Sequence, residues 1–338
     1  MKEDLERITL ILHMSFNRVD SSIEKQISNW EGPISLAVVF PSQSPDSAEV
    51  LCAVKFLREF QKNDSNAFQK LSVHFLFEKG ECSESNFIDE DSINKVKCEN
   101  PKKQVSDYTR IRQMATYPVN EARNLARNLS STRYMVIADM DHMFSKNFEA
   151  KMISLAQKKL LQDPMTVLVY RIFEIADDVK IFPQTKNDLF SLFNKKKAQE
   201  FHKYYGAHSI PKLQEWFKAP ENPENNTKIQ FYRLYKSRHW EPQFVSLRKI
   251  PFHDTSFYYS TRDNTVLRWE MCRAGFKFAI VEDVFMFHVG YKTSKEKGIV
   301  KSVANFVKKN ALKSLKGFNE RMNRLYPATR NTCPDYRL

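Results

Sequence analysis

Two aspartates one residue apart, Asp139 and Asp141, close the uncharged run Tyr134-Met135-Val136-Ile137-Ala138. Paired carboxylates at the end of a buried strand suit a hard divalent cation and, through it, a phosphate ligand. Spacing alone is a weak signal. Asp89-Glu90-Asp91 repeats it in a polar stretch with no apolar run before it, and reads as a solvated loop. A second group follows the apolar segments 278–281 and 284–287: His288-Val289-Gly290-Tyr291-Lys292. A lone histidine after a strand is usually a hydrogen-bonded structural residue. Here an imidazole would complete a metal shell begun by two carboxylates, the glycine permits close backbone approach, and the lysine would meet a phosphate. If the two strand ends adjoin, Asp139, Asp141 and His288 form a metal site with Lys292 on a diphosphate. Asp141, farther along the turn, is the expected closer ligand, with Asp139 reaching metal or ribose.

The flanking segments explain how such a pair is presented. Residues 118–130 place Ala122, Leu125, Ala126 and Leu129 on one helical face, with Pro118 in the first turn. Residues 147–162 do the same with Met152, Leu155, Ala156 and Leu160. Segments 7–12, 34–40 and 71–77 read as strands. Residues 46–61 read as a helix, with Asp46 and Glu49 as a capping box and Val50, Val54 and Leu57 as its buried stripe. A polar loop of about 25 residues then begins at Glu78, long for a compact domain. Later, 165–171, 229–235 and 243–247 return to strand, and 265–274 is a helix closed by Gly275. The stretch 182–228, rich in proline and charge, reads as short helices over the ligand face. Strands and helices in this alternation predict an α/β fold, a mostly parallel central sheet flanked by helices, binding its ligand at the carboxyl ends of strands.

Composition narrows the partners. The 338 residues hold 53 Lys and Arg against 40 Asp and Glu, a net charge of +13. Much of the excess lies in residues 292–330, which read as a surface helix packing through Ile299, Val303, Phe306 and Val307. No nucleic-acid module accompanies it, so nucleic acid is not an expected partner. No apolar run approaches a membrane span, and the charged first residues do not form a signal sequence. Of five cysteines, Cys82 and Cys98 flank a polar loop as a candidate pair, and the odd count leaves one thiol over. Asn63, Asn128 and Asn225 head glycosylation triplets, Asn128 poorly placed in a helix.

Taken together, these motifs resemble the Asp-x-Asp glycosyltransferases that include the dystroglycan β-1,4-glucuronyltransferase and the second catalytic domain of LARGE. The resemblance runs nearly end to end. It is carried by Trp30-Glu31-Gly32-Pro33-Ile34-Ser35-Leu36-Ala37, by Tyr117-Pro118-Val119-Asn120 with Arg123-Asn124, and by Asp139-Met140-Asp141. Phe173-Glu174, Pro183, Lys186, Leu189, His208 with Trp216, Trp240-Glu241-Pro242 and His288-x-Gly290-x-Lys292 follow.

The resemblance implies a single GT-A (Rossmann-like) catalytic domain over 1–338. Its parts would be a nucleotide-binding half (1–145), an acceptor half (146–294) and a basic C-terminal helix and tail (295–338). It implies inverting, Mn²⁺- (or Mg²⁺-) dependent transfer from a UDP-sugar, with glucuronic acid moving to a glycan acceptor such as xylose, in the Golgi lumen. Asn120, Arg123 and Asn124 would hold the nucleotide, and Trp240 and Glu241 would face the acceptor. Asp263 and Asp254 are the candidate general bases. The family's Phe-Asp-Glu-Arg-Phe and Tyr-Gly-x-Asn are replaced here by Phe252-His253-Asp254-Thr255-Ser256-Phe257 and Ser260-Thr261-Arg262-Asp263, which puts the acceptor pocket in question. Two other readings stay open: an N-acetylglucosaminyltransferase of the same fold, or a catalytically silent glycan-binding protein. Homo-oligomer formation is a further possibility.

Overall fold

The computed structural model describes residues 5–40, 44, 46–77, 88–98, 105–203, 206–222, 224 and 226–337. The amino-terminal half runs β1 (Ile8–Ser15), α1 (Ser22–Asn29), β2 (Ile34–Phe40), α2 (Ala48–Asn63), α3 (Ser65–Lys70), β3 (Leu71–Phe77), α4 (Glu90–Lys95), α5 (Asp107–Thr116), α6 (Val119–Leu129), β4 (Tyr134–Ile137) and β5 (His142–Phe144). Then come α7 (Phe148–Gln162), β6 (Thr166–Ile175), α8 (Lys186–Asn194), β7 (Ala198–Glu200), α9 (Leu213–Lys218), β8 (Ile229–Arg233), β9 (Gln243–Leu247), α10 (Thr265–Arg273), β10 (Lys277–Val289) and α11 (Ser294–Leu325).

One sheet carries the molecule, in the order β3-β2-β1-β4-β9-β6-β10-β5, with β7 on β6 and β8 on β10. β3, β2, β1 and β4 are parallel, as are β6 and β10, and β9 is inserted antiparallel between β4 and β6. β2 is buried at every residue, as a sheet covered on both faces requires. On one face Trp30, Phe144, Phe148, Met152 and Tyr170 pack against the sheet. On the other lie Ala122, Ala126, Trp240, Trp269, Phe318 and Tyr336. This α/β layout, with the Asp-x-Asp turn at the carboxyl end of β4, matches the GT-A expectation.

Several local expectations are corrected. Ser47, not Asp46, caps α2, accepting the Val50 amide hydrogen. Asp89-Glu90-Asp91 is the start of a short helix capped by Asp89, not an open loop. The two apolar segments before His288 are one bulged strand, β10, its register against β6 shifting between Ile280 and Phe285. Cys98 pairs with Cys52 rather than Cys82, and Cys272 with Cys333; Cys82 and Asn225 lie outside the described residues. In α11, Ile299, Val303 and Val307 are buried, but Phe306 is 56% exposed. Positions 299, 303 and 307 form an i, i+4 stripe on α5, and residue 306 falls off it.

Candidate active site

Sheet register assembles the site. β5 and β10 pair antiparallel with His142 opposite His288, and β10 and β6 pair in parallel with His288 opposite Glu174. The turn after β4 thus meets the end of β10, across 147 residues of sequence. α1 fixes the turn from beneath. Buried Gln26 donates its amide hydrogens to the carbonyls of Met140 (2.9 Å) and His142 (2.8 Å). Asn29 brackets Phe144, accepting its N–H at 2.7 Å and donating to its carbonyl at 2.9 Å. An open cavity of about 1030 Å³ lies above, lined by Arg123, Asp139, Asp141, His142, Glu174, His202, His208, Glu241, Tyr259, Arg262, Asp263, His288 and Lys292 among others.

His288 Nε2 lies 3.2 Å from Asp141 Oδ2, and His288 Nδ1 faces the Gly290 carbonyl at 3.0 Å. The carbonyl can only accept, so Nδ1 carries a proton, and Nε2 is the atom whose lone pair a cation could take. Burial lowers the His288 pKa, but the hydrogen bond and charge of Asp141 outweigh it and leave the imidazole above its ordinary value. Burial likewise pushes Asp141 up, while the His288 hydrogen bond and His142 bring it below the usual carboxylate range. Asp139 is raised by burial yet held far lower by His13, His142 and Arg123. His13 Nε2 lies 3.6 Å and Arg123 Nη2 3.7 Å from its Oδ1.

Asp139, Asp141 and His142 present ligand atoms within 4.8 Å of one another. His142 was not singled out in the sequence. Its Nδ1 accepts the Asp139 amide hydrogen at 3.1 Å, so in the neutral ring Nε2 bears the proton. His142 therefore orients the turn, and His288 Nε2, once the proton it shares with Asp141 is lost, offers the lone pair. Two carboxylates and one imidazole form a donor set that fits a divalent cation while leaving positions for phosphate oxygens and water.

The predicted nucleotide residues are placed differently. The polar face of α6 fastens the segment 248–263. Asn120 Nδ2 donates to the carbonyls of Asp254 (2.9 Å) and Asp263 (3.2 Å). Asn124 donates to the His253 carbonyl at 2.8 Å and accepts its N–H at 3.0 Å. Arg127 donates to the carbonyls of Arg248, Ile250 and Pro251. Asn120 is thus engaged by this segment and by Arg123, and Asn124 by the His253 backbone. Arg123 does reach the cavity, bonded to Asp263 at 2.9 Å and to Asn120 Oδ1 at 3.2 Å.

The carboxylates separate by surroundings. Asp254 does not line the cavity; its carboxylate is paired with Arg321 at 2.8 Å. Asp263 lines it but is held by Arg123. Trp240 is a buried core residue with the Arg233 guanidinium 4.0 Å from its ring centre, whereas Glu241 beside it faces the cavity. Burial raises the Glu241 pKa, Arg268 opposing and Asp263 adding to the rise. His208 Nε2 lies 3.8 Å from Glu241 Oε2. Burial keeps His208 neutral and lowers His202 to about 4.

The sequence family described as glycosyl-transferase for dystroglycan matches residues 7–327. A β-1,4-glucuronyltransferase 1 of Danio rerio is 22% identical over 96% of this chain and 75% of its own length. The xylosyl- and glucuronyltransferase LARGE1 of Homo sapiens is 24% identical over 96% of this chain and 36% of its own. The crystal structure of GalNAc-T7 with UDP, GalNAc and Mn²⁺ superposes with a TM-score of 0.46 at 11% identity, covering 98% of this chain and 59% of that one. The chain thus spans from about a third to three quarters of the length of these proteins.

Proposed function

Since this chain belongs to the dystroglycan glycosyl-transferase family, we propose that it is an inverting, metal-dependent transferase that moves glucuronic acid from a UDP-sugar to a glycan acceptor such as xylose. The observation that carries this reading is the meeting of Asp141 and His288 at 3.2 Å on the floor of one cavity with Lys292 and Glu241 in its walls. A divalent cation held by Asp139, Asp141 and His288 would neutralise the charge that grows on the departing diphosphate.

The chain's own residues do the rest. Glu241 takes the proton of the acceptor hydroxyl as its oxygen bonds to the anomeric carbon and the bond from that carbon to UDP breaks. It suits this role better than Asp263 or Asp254, because both of those carboxylates are neutralised by arginines. A carboxylate whose pKa is raised by burial is a stronger base than one in water. Lys292 follows the diphosphate oxygens as a flexible point charge. Arg123 ties Asp263, and with it the segment 254–263, to Asp139, so the acceptor wall and the metal turn hold one geometry.

Two disulfides fit an oxidising compartment such as the Golgi lumen. Among the described residues no helix is long and apolar enough to cross a membrane. The test is UDP release from a panel of UDP-sugars with Mn²⁺ and a xyloside. Turnover with UDP-glucuronate well above UDP-N-acetylglucosamine supports the reading. Preference for the latter replaces the donor, and no release from any donor supports a silent binding protein.

A further inference from the structure

A second cavity, about 1020 Å³, opens beside the first. Its walls come from Lys236, Arg238 and His239, between β8 and β9, and from Arg330, Asp335 and Arg337, after α11. The carboxyl-terminal segment is fixed there. Cys333 is bonded to Cys272, and the Trp269 indole N–H donates to the Pro334 carbonyl at 2.9 Å. The Tyr336 hydroxyl sits 3.2 Å from the Arg238 carbonyl and 2.7 Å from Thr265 Oγ1.

The charge of this cavity is one-sided. Lys236, Arg238, Arg330 and Arg337 face one carboxylate, Asp335, which Arg330 meets at 3.3 Å and Asn323 at 3.0 Å. Among the described residues no ion pair involves Lys236, Arg238 or Arg337. Four cations gathered on a stapled frame repel one another and attract an anion. Lysine and arginine together recognise carboxylate, sulfate and phosphate oxygens. The volume is at the upper end of the roughly 300–1,000 Å³ typical of ligand pockets.

The two cavities share a wall. His239 lines both, and its Nδ1 lies 3.1 Å from Arg262 Nη2 in the catalytic cavity. Arg262 has φ +65°, a left-handed backbone that costs a non-glycine residue about 1 kcal/mol or more. Glu241 is two residues from His239. A chain whose end lies at Glu241 and which continues over His239 therefore enters the basic cavity.

We propose that this second cavity is an acceptor subsite that binds an anionic group on the glycan chain, set back from the sugar that receives the transferred residue. The inference rests on the transferase reading for the word acceptor; the anion site itself does not. A glycan is favoured over a single-stranded nucleic acid because Trp269, the one tryptophan in the lining, is only 6% exposed and gives bases no platform.

The test is calorimetric binding without donor, using three probes. These are a desulfated chondroitin hexasaccharide with glucuronate on alternate sugars, its sulfated counterpart, and neutral xylohexaose. The wild-type chain should bind the glucuronate probe at least tenfold more tightly than xylohexaose. Lys236→Glu/Arg337→Glu, both exposed, should lose that advantage at an unchanged melting temperature. A tighter sulfated probe makes the site a general anion site, and an equal one a carboxylate site; both keep the proposal. Equal binding of neutral and anionic probes, an unaffected double variant, or an RNA oligonucleotide that outcompetes the hexasaccharide overturns it. Failure of the transferase reading shows differently, as anion binding without UDP release from any donor.

Discussion

Replacing Arg123 by methionine should cost about 3–5 kcal/mol, the range for removing one partner of a buried ion pair. The side chains of Arg123 and Asp263 are 8% and 12% exposed and meet at 2.9 Å. The substitution leaves the Asp263 carboxylate in the wall of the cavity with no cation bonded to it. It also strips Asn120 Oδ1 of its donor at 3.2 Å, for about 1 kcal/mol within that total. Asp263→Asn keeps the shape and removes the charge. Arg123 then retains Asp139 at 3.7 Å, so the expected loss is about 1–3 kcal/mol. The double variant has neither charge left unmatched, so it should be more stable than the sum of the single losses implies, by about 1.5–3 kcal/mol. Urea unfolding followed by tryptophan fluorescence, with a constant slope across the four proteins, measures all three. A domain stability of about 5–15 kcal/mol leaves room to resolve them. Losses that add within about 0.5 kcal/mol would refute the coupling, and with it the claim that Arg123 joins the acceptor wall to the metal turn.

Glu241→Gln should lower turnover by about 10²–10⁴-fold, the usual worth of a general base, while Asp254→Asn should mainly reduce stability through Arg321. In the wild type the rate should rise with pH through the elevated Glu241 pKa, since only the ionised carboxylate accepts a proton; steady-state pH profiles check both. Metal affinity should also rise with pH, because His288, raised above 6.5 by Asp141, must lose its proton to bind a cation. Without metal the sign reverses: the His288–Asp141 pair adds stability that is complete below 6.5 and is lost as pH climbs through the elevated value. Melting temperatures with and without Mn²⁺ across pH 5–9 show whether the two trends cross. In α11, Val303→Ala should cost about 2 kcal/mol and Phe306→Ser about 0.5 kcal/mol or less, as chemical denaturation will show.

The strands and the Asp-x-Asp turn between β4 and β5 were legible because their signals are local. An uncharged β-branched run ending in two carboxylates, and a run ending in His-x-Gly-x-Lys, each declare themselves over fewer than ten residues. α6 shows where that logic stops. Its apolar period points to Leu129, which is 51% exposed, whereas Asn120, Arg123 and Arg127 are buried. Those polar side chains go inside because their partners lie in 248–263, more than 120 positions away: backbone carbonyls for Asn120 and Arg127, the Asp263 carboxylate for Arg123. No periodicity encodes such a partner. The base proposed above was hidden similarly: Asp254 and Glu241 are both carboxylates in sequence, and only the folded chain sets Arg321 against one of them. His142 was the residue most open to earlier recognition, since it directly follows the Asp-x-Asp pair.

The central claim is that Asp141 and His288 hold a cation which in turn holds a UDP-sugar. Calorimetric titration of UDP into the wild type and Asp141→Asn, each with Mn²⁺ and with chelator, tests it most directly. The account predicts that the wild type binds UDP strongly only with Mn²⁺, and that Asp141→Asn loses this binding while its melting temperature without metal, compared at a pH above the His288 value where the His288–Asp141 pair is already lost, stays close to the wild type's. Normal Mn²⁺-dependent UDP affinity in Asp141→Asn would contradict the assignment.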